Sequence, residues 1–145
     1  MTRLFRRPAA AILAVALTLP ALALAQQTPA PDGAEVYFIA PADGTTVTSP
    51  VNIRFGLRGM GIAPAGAEWD KTGHHHLLIN IDPSDIAMDE SLPATDHIRH
   101  FGGGQTEAVL DLPAGTHTLR LLLGDYTHTP HDPPIMSDPI TVTVQ

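Results

Sequence analysis

The sequence predicts an all-β fold in which two antiparallel sheets pack face to face, and three observations carry that prediction. Short apolar segments alternate at a period of two, as in Val51-Asn52-Ile53-Arg54-Phe55-Gly56-Leu57. Turn-forming clusters such as Pro41-Ala42-Asp43-Gly44 and Pro113-Ala114-Gly115 punctuate them. Across residues 35–145 no segment longer than a turn keeps a helical period. Together these give an immunoglobulin-like antiparallel β-sandwich of about seven short strands, with a small barrel as the alternative closure.

Residues 1–25 read as a cleaved secretory signal peptide. Arg3, Arg6 and Arg7 precede an apolar run from Ala9 to Leu19, and Ala23-Leu24-Ala25 is a small-x-small cleavage site. The run is too short and wrongly flanked for a membrane span, so no stable membrane insertion is expected after cleavage. Residues 26–34 are polar and Pro-containing and read as a flexible linker. Residues 35–145 suit a single domain. Strand A covers Glu35 to Ala40 and strand B Val51 to Leu57. Strand C begins in the histidine run and continues through Leu77, Ile79 and Ile81 on one face. Asp96 to Phe101 is a short strand D, ahead of Gly102-Gly103-Gly104. Strands E (Gln105 to Leu112), F (His117 to Leu123) and G (Ile140 to Val144) complete the set. The loop from Gly124 to Pro134 holds three prolines, which exclude regular structure.

Composition narrows the partners. Removing Arg3, Arg6 and Arg7 leaves five basic against fifteen acidic residues, a net charge of −10 for the exported part. That excludes nucleic acid and anionic membrane surfaces, whose binding depends on basic patches. It suits cations, and it also serves plain solubility. The chain has no cysteine, so an exported product must be stabilised by packing alone. Export implies the periplasm in a Gram-negative source and secretion otherwise.

Gly73-His74-His75-His76-Leu77-Leu78-Ile79 is the most informative stretch. His75 shares the face of Leu77 and Ile79, whereas His74 and His76 leave the other side about 7 Å apart, close enough to chelate one ion. In the usual sandwich layout the B–C, D–E and F–G loops meet at one pole. The B–C loop ends at His74 to His76, the D–E loop follows His97 and His100, and the F–G loop holds His128 and His131. Seven of the eight histidines therefore map to one pole, with His117 at the other. Neutral imidazole is the commonest metal ligand, which makes His74, His76, His97, His100, His128 and His131 candidate ligands. Histidines without cysteine suit a copper or zinc ion, and Met60 or Met136 nearby would tilt the choice toward copper. The prolines beside His128 and His131 would reduce the ordering cost of binding.

Each of these features has a plainer reading. Loop histidines can donate to a carbonyl through one ring nitrogen and accept through the other, and His75 and His117 fit that role best. The glycine triplet makes a tight connection or, alternatively, an amide nest for an anion. Trp69 either stacks on a ligand or plugs one end of the core. Asp125 and Asp132 either orient histidines or hold their loop by local hydrogen bonds.

The motifs GHHHLLI, HFGGGQTE, LPAGTHTLRLLLGD and HTPHDPPIMSDPITV occur in order between Val36 and Val144. This set resembles the exported bacterial family catalogued as domain of unknown function forty-three ninety-nine. The resemblance implies that Gly73 to His76, His100 to Gln105, Gly124-Asp125 and His128 to Pro134 are signature positions, and it implies no mechanism. The first strand and Pro41-Ala42-Asp43-Gly44 are also similar to the start of small exported copper-binding sandwiches.

No nucleophile elbow, HExxH motif or cofactor fingerprint is present, so no enzyme is expected. The leading expectation is an exported binding domain that takes a transition metal through its histidine pole. The alternative is a metal-independent module for an envelope protein or other ligand, with the histidines buttressing loops.

Overall fold

Alternating segments become strands wherever one face can be buried. In the computed structural model, which describes residues 27–145, nine strands form: β1 (Glu35–Ala40), β2 (Thr45–Val47), β3 (Val51–Arg58), β4 (Gly61–Ile62), β5 (Thr72–Ile79), β6 (Ile98–His100), β7 (Glu107–Leu110), β8 (Gly115–Gly124) and β9 (Ile140–Val144). Seven match the predicted strands A to G, and β2 and β4 are short additions. In β3, Val51, Ile53 and Phe55 are buried while Asn52 and Arg54 are exposed, as the alternation requires.

One sheet is ordered β1-β3-β7, and the other β2-β9-β8-β5-β4, with β6 also pairing β5. The pairings are antiparallel except β2 with β9 and β4 with β5. Strands A, B and E thus face strands G, F and C, which is the immunoglobulin-like arrangement. The two sheets clasp Val36, Ile53, Phe55, Leu77, Leu119, Leu121 and Val142, each no more than 2% exposed. The fourth predicted strand, β6, joins β5 rather than the A-B-E sheet. Ile98 lies opposite Leu78 and packs with Leu92 and Leu122 in a second apolar cluster on the outer face of the larger sheet. The chain from Ile81 to Leu92 lies over that face and covers it with Ile86 and Met88.

One sequence expectation changes, and one pair of alternatives resolves toward the tight connection. The described part of the linker, Gln27 to Ala34, does not trail free. It is tied to the F–G loop by Ala30 N–H to the Asp132 carbonyl (2.9 Å), Asp132 N–H to the Thr28 carbonyl (3.0 Å) and the Thr28 hydroxyl to Asp125 Oδ2 (2.7 Å). Its partners lie about a hundred residues away, beyond the reach of local composition. The glycine triplet carries the chain from one sheet to the other, and Gly104 adopts φ +80° in the turn. Gly103 N–H donates to Gln105 Oε1 and Gly104 N–H to the Phe101 carbonyl, so those amides do not form an open anion nest.

Candidate metal centre

The parity of β5 sends His75, Leu77 and Ile79 toward the inter-sheet core and His74, His76 and Leu78 to the outer face. Across the ladder His74 stands opposite Gly124, and His76 lies between Leu122 and His100. Gly124 is what makes room: a Cβ there would sit 2.5 Å from His76 Cε1 and 2.9 Å from its Nδ1. His128 reaches the same spot from the F–G hairpin. Asp125 N–H bonds the Thr129 carbonyl and His128 N–H bonds the Asp125 carbonyl, closing a three-residue loop. The last loop position takes left-handed backbone, here occupied by His128 with φ +67°, where glycine or asparagine is the usual choice. Asp125 fixes the loop: its Oδ1 accepts from Thr127 N–H, Thr127 hydroxyl and Thr129 N–H, and its Oδ2 from Thr28. The covering segment locks the hairpin down through Leu92 N–H to the His128 carbonyl and Ser91 hydroxyl to the Thr127 carbonyl.

Three ring nitrogens converge as a result. His128 Nδ1 lies 2.9 Å from His74 Nε2 and 3.3 Å from His76 Nε2. The group offers one donor per residue within 4.8 Å of one another and could hold a metal ion. His74 and His76 are fully buried and His128 half-buried. A single nitrogen carries either one proton or one lone pair, so His128 Nδ1 satisfies its two neighbours poorly. With Zn–N bonds of about 2.0–2.1 Å, tetrahedral ligand atoms stand about 3.3 Å apart, matched by the His76–His128 pair and approached from below by the His74–His128 pair. Asp125 is occupied within its own loop and serves as an organiser rather than a donor.

Burial favours the neutral form of His74, His76 and the neighbouring His100. His74 is pushed down to about 4 by burial, reinforced by His128 and His100 and opposed by Asp125. His76 falls to about 2, first through burial and then through His74, His100 and His128. His100 is lowered as well, mainly by burial. These three imidazoles are therefore uncharged at neutral pH, the form that binds metals.

The other histidines divide sharply. His117 is a satisfied structural residue: its Nε2 donates to the Pro113 carbonyl at 2.8 Å, and its Nδ1 accepts from Asn80 Nδ2 at 3.0 Å. His97 is exposed and stands at the other end of β6 from His100, its Nδ1 2.9 Å from the Ile79 carbonyl, so it does not join the group. Residues three apart in an extended chain leave opposite faces, so His97 and His100 do not turn toward one ion. His131 is fully buried but lies outside the convergent trio, and neither ring nitrogen finds a hydrogen bond. Burial lowers its pKa, against a smaller upward pull from the Leu123 backbone, Asp125 and the Thr72 backbone. His75 faces Phe55 at 5.1 Å between ring centroids, and burial lowers it to about 4. Trp69 does not plug the core, being 66% exposed. Sequence reasoning missed the covering segment around Ser91 and Leu92, whose partners are long-range. The steric role of Gly124 was signalled only by a glycine inside an otherwise leucine-rich strand.

The fold and this cluster define a β-sandwich of immunoglobulin-like form with a buried histidine group able to hold a metal. Residues 53–145 match the family model described as Domain of unknown function (DUF4399), and the chain belongs to that family. No curated protein and no solved structure matches the chain.

Proposed function

We propose that this is an exported metal-binding domain in which His74, His76 and His128 hold one Cu(II) or Zn(II) ion. The observation that carries the reading is the convergence of three imidazole nitrogens at 2.9 and 3.3 Å, with burial holding the His74 and His76 rings neutral and no acid or carbonyl bonded to the convergent atoms. Every buried side-chain nitrogen or oxygen without a partner among the described residues belongs to a histidine. Four of these atoms are on His75 and His131, outside the group, and those of His74 and His76 are Nδ1 rather than the convergent Nε2, so what points to an ion is the convergence itself. The contrast with His117, paired through both nitrogens, separates a structural histidine from this group. Imidazole-only ligation suits Cu(II) and Zn(II), with copper the tighter. Met60 packs against the inter-sheet core, and Met136 packs against the outer cluster beside Leu122. The arginine-flanked apolar run and Ala23-Leu24-Ala25 support delivery outside the cytoplasm, where the absence of cysteine carries no penalty.

The test is calorimetric titration of chelator-stripped protein with Cu(II) and Zn(II), repeated on the His74→Ala, His76→Ala and His128→Ala variants. One ion per chain, lost in each variant, is expected. Flat heats in the wild type would favour the metal-independent envelope module, for which the exposed Trp69 at the rim is the best starting point.

A further inference from the structure

Three imidazoles leave a tetrahedral ion one ligand short. His100 stands beside them, its ring centroid 4.5 Å from that of His76 and 4.7 Å from that of His128. Its Nε2 is shut off from solvent and has no hydrogen-bond partner, and the Pro93 backbone, which acts on the ring, makes no bond of good geometry to it. Yet His100 is outside the set whose donors all lie within 4.8 Å, so its ring stands back from the convergence point.

Access points the same way. His74 and His76 have no exposed surface, whereas His100 and His128 are half-buried. Of the two, His100 lines an outer pocket of about 620 Å³, together with Asp96, Arg99, Phe101 and Leu110. Asp96 and Arg99 pair across its wall at 3.7 Å, and His100 is the one histidine that lines it, whereas His74 and His76 do not. A side chain with open space on one side has room to turn, unlike rings held against Gly124 or within a pinned hairpin.

We infer that His100 is the fourth ligand and the entry point of the site, taking the ion from the β6 pocket and closing behind it on His74, His76 and His128. This rests on the metal reading above and adds a route and a coordination number to it. Closure by a fourth imidazole leaves no open position for water, so the site carries or stores its ion rather than activating a bound hydroxide.

The experiment uses Co(II) as a spectroscopic stand-in for Zn(II), with His100→Ala, His100→Phe (which keeps the bulk) and His97→Ala as a control. Wild type should take one Co(II) with the intense visible bands of tetrahedral coordination. His100→Ala and His100→Phe should shift those bands and make them change with pH near neutrality, because an ionisable water then takes the fourth position. Release to excess chelator should be faster by more than tenfold, since losing even an outer hydrogen-bond partner of a ligand costs 10–100-fold in affinity. His97→Ala should match wild type. Bands and release rates unchanged in both His100 variants would overturn the inference while leaving the three-ligand site intact. A wild type that takes up no Co(II), Zn(II) or Cu(II) would overturn both together.

Discussion

Acid should unfold the metal-free protein unusually early. In the folded state His74 and His75 titrate at about 4 and His76 at about 2, against 6.5 for the exposed group. The unfolded chain therefore binds the extra protons, and stability rises with pH through this window. The contribution of the neutral buried rings is complete above pH 6.5 and is lost progressively as pH falls toward 4. For a group moved from 6.5 to 4, the loss between pH 7 and pH 5 is roughly 2 kcal/mol. His74 and His75 together then remove about 4 kcal/mol, and His76 adds to that, from a total that for a domain is typically about 5–15 kcal/mol. Urea unfolding of chelator-treated protein, followed by far-UV circular dichroism at half-unit steps from pH 7.5 to 4.5, measures this directly. A midpoint that slides steeply downward below pH 6.5 is expected. A flat midpoint to pH 5 would refute the claim that these rings are buried and neutral.

Three substitutions probe separate parts of the same reasoning. Gly124→Ala drives a methyl group into the His76 ring and should cost about 1–3 kcal/mol by overpacking while abolishing metal uptake, as thermal melts and titration would register. His128→Gly suits the left-handed position, so stability of the metal-free protein should stay within about 1 kcal/mol of wild type even though metal binding is lost. A large loss of stability there would mean that His128 is a structural prop. His117→Ala leaves the Pro113 carbonyl and Asn80 without partners and should cost about 1–3 kcal/mol, yet metal stoichiometry should be unaffected.

Much of the fold was legible because burial follows period two. The alternation of Val51 to Leu57 and the parity that separates His75 from His74 and His76 both reappear in the strands. Pairing choices were less legible. Nothing in Asp96 to Phe101 says locally that Ile98 will seek Leu78, because that preference comes from a second apolar cluster assembled by distant segments. Strands of two or three residues, such as β2 and β4, carry too little pattern to be read. At the site, loop topology brought His74, His76, His100 and His128 together, but it could not separate His100 from His97. One points along the outer face beside His76 and the other bonds the Ile79 carbonyl. The docking of Gln27 to Ala30 was hidden for the same reason as the covering segment: hydrogen bonds to Met88, Asp125, Pro130 and Asp132 leave no trace in local sequence.

The most direct measurement is NMR of the histidine side chains in protein spanning Gln26 to Gln145, stripped of metal and then titrated with Zn(II). Saturation at one ion per chain, with the ring signals of His74, His76 and His128 moving together and those of His117 and His97 unmoved, is the predicted result. Rings that stay in place through excess Zn(II) and Cu(II) would contradict the metal site and leave the convergence of nitrogens as a feature of the fold alone.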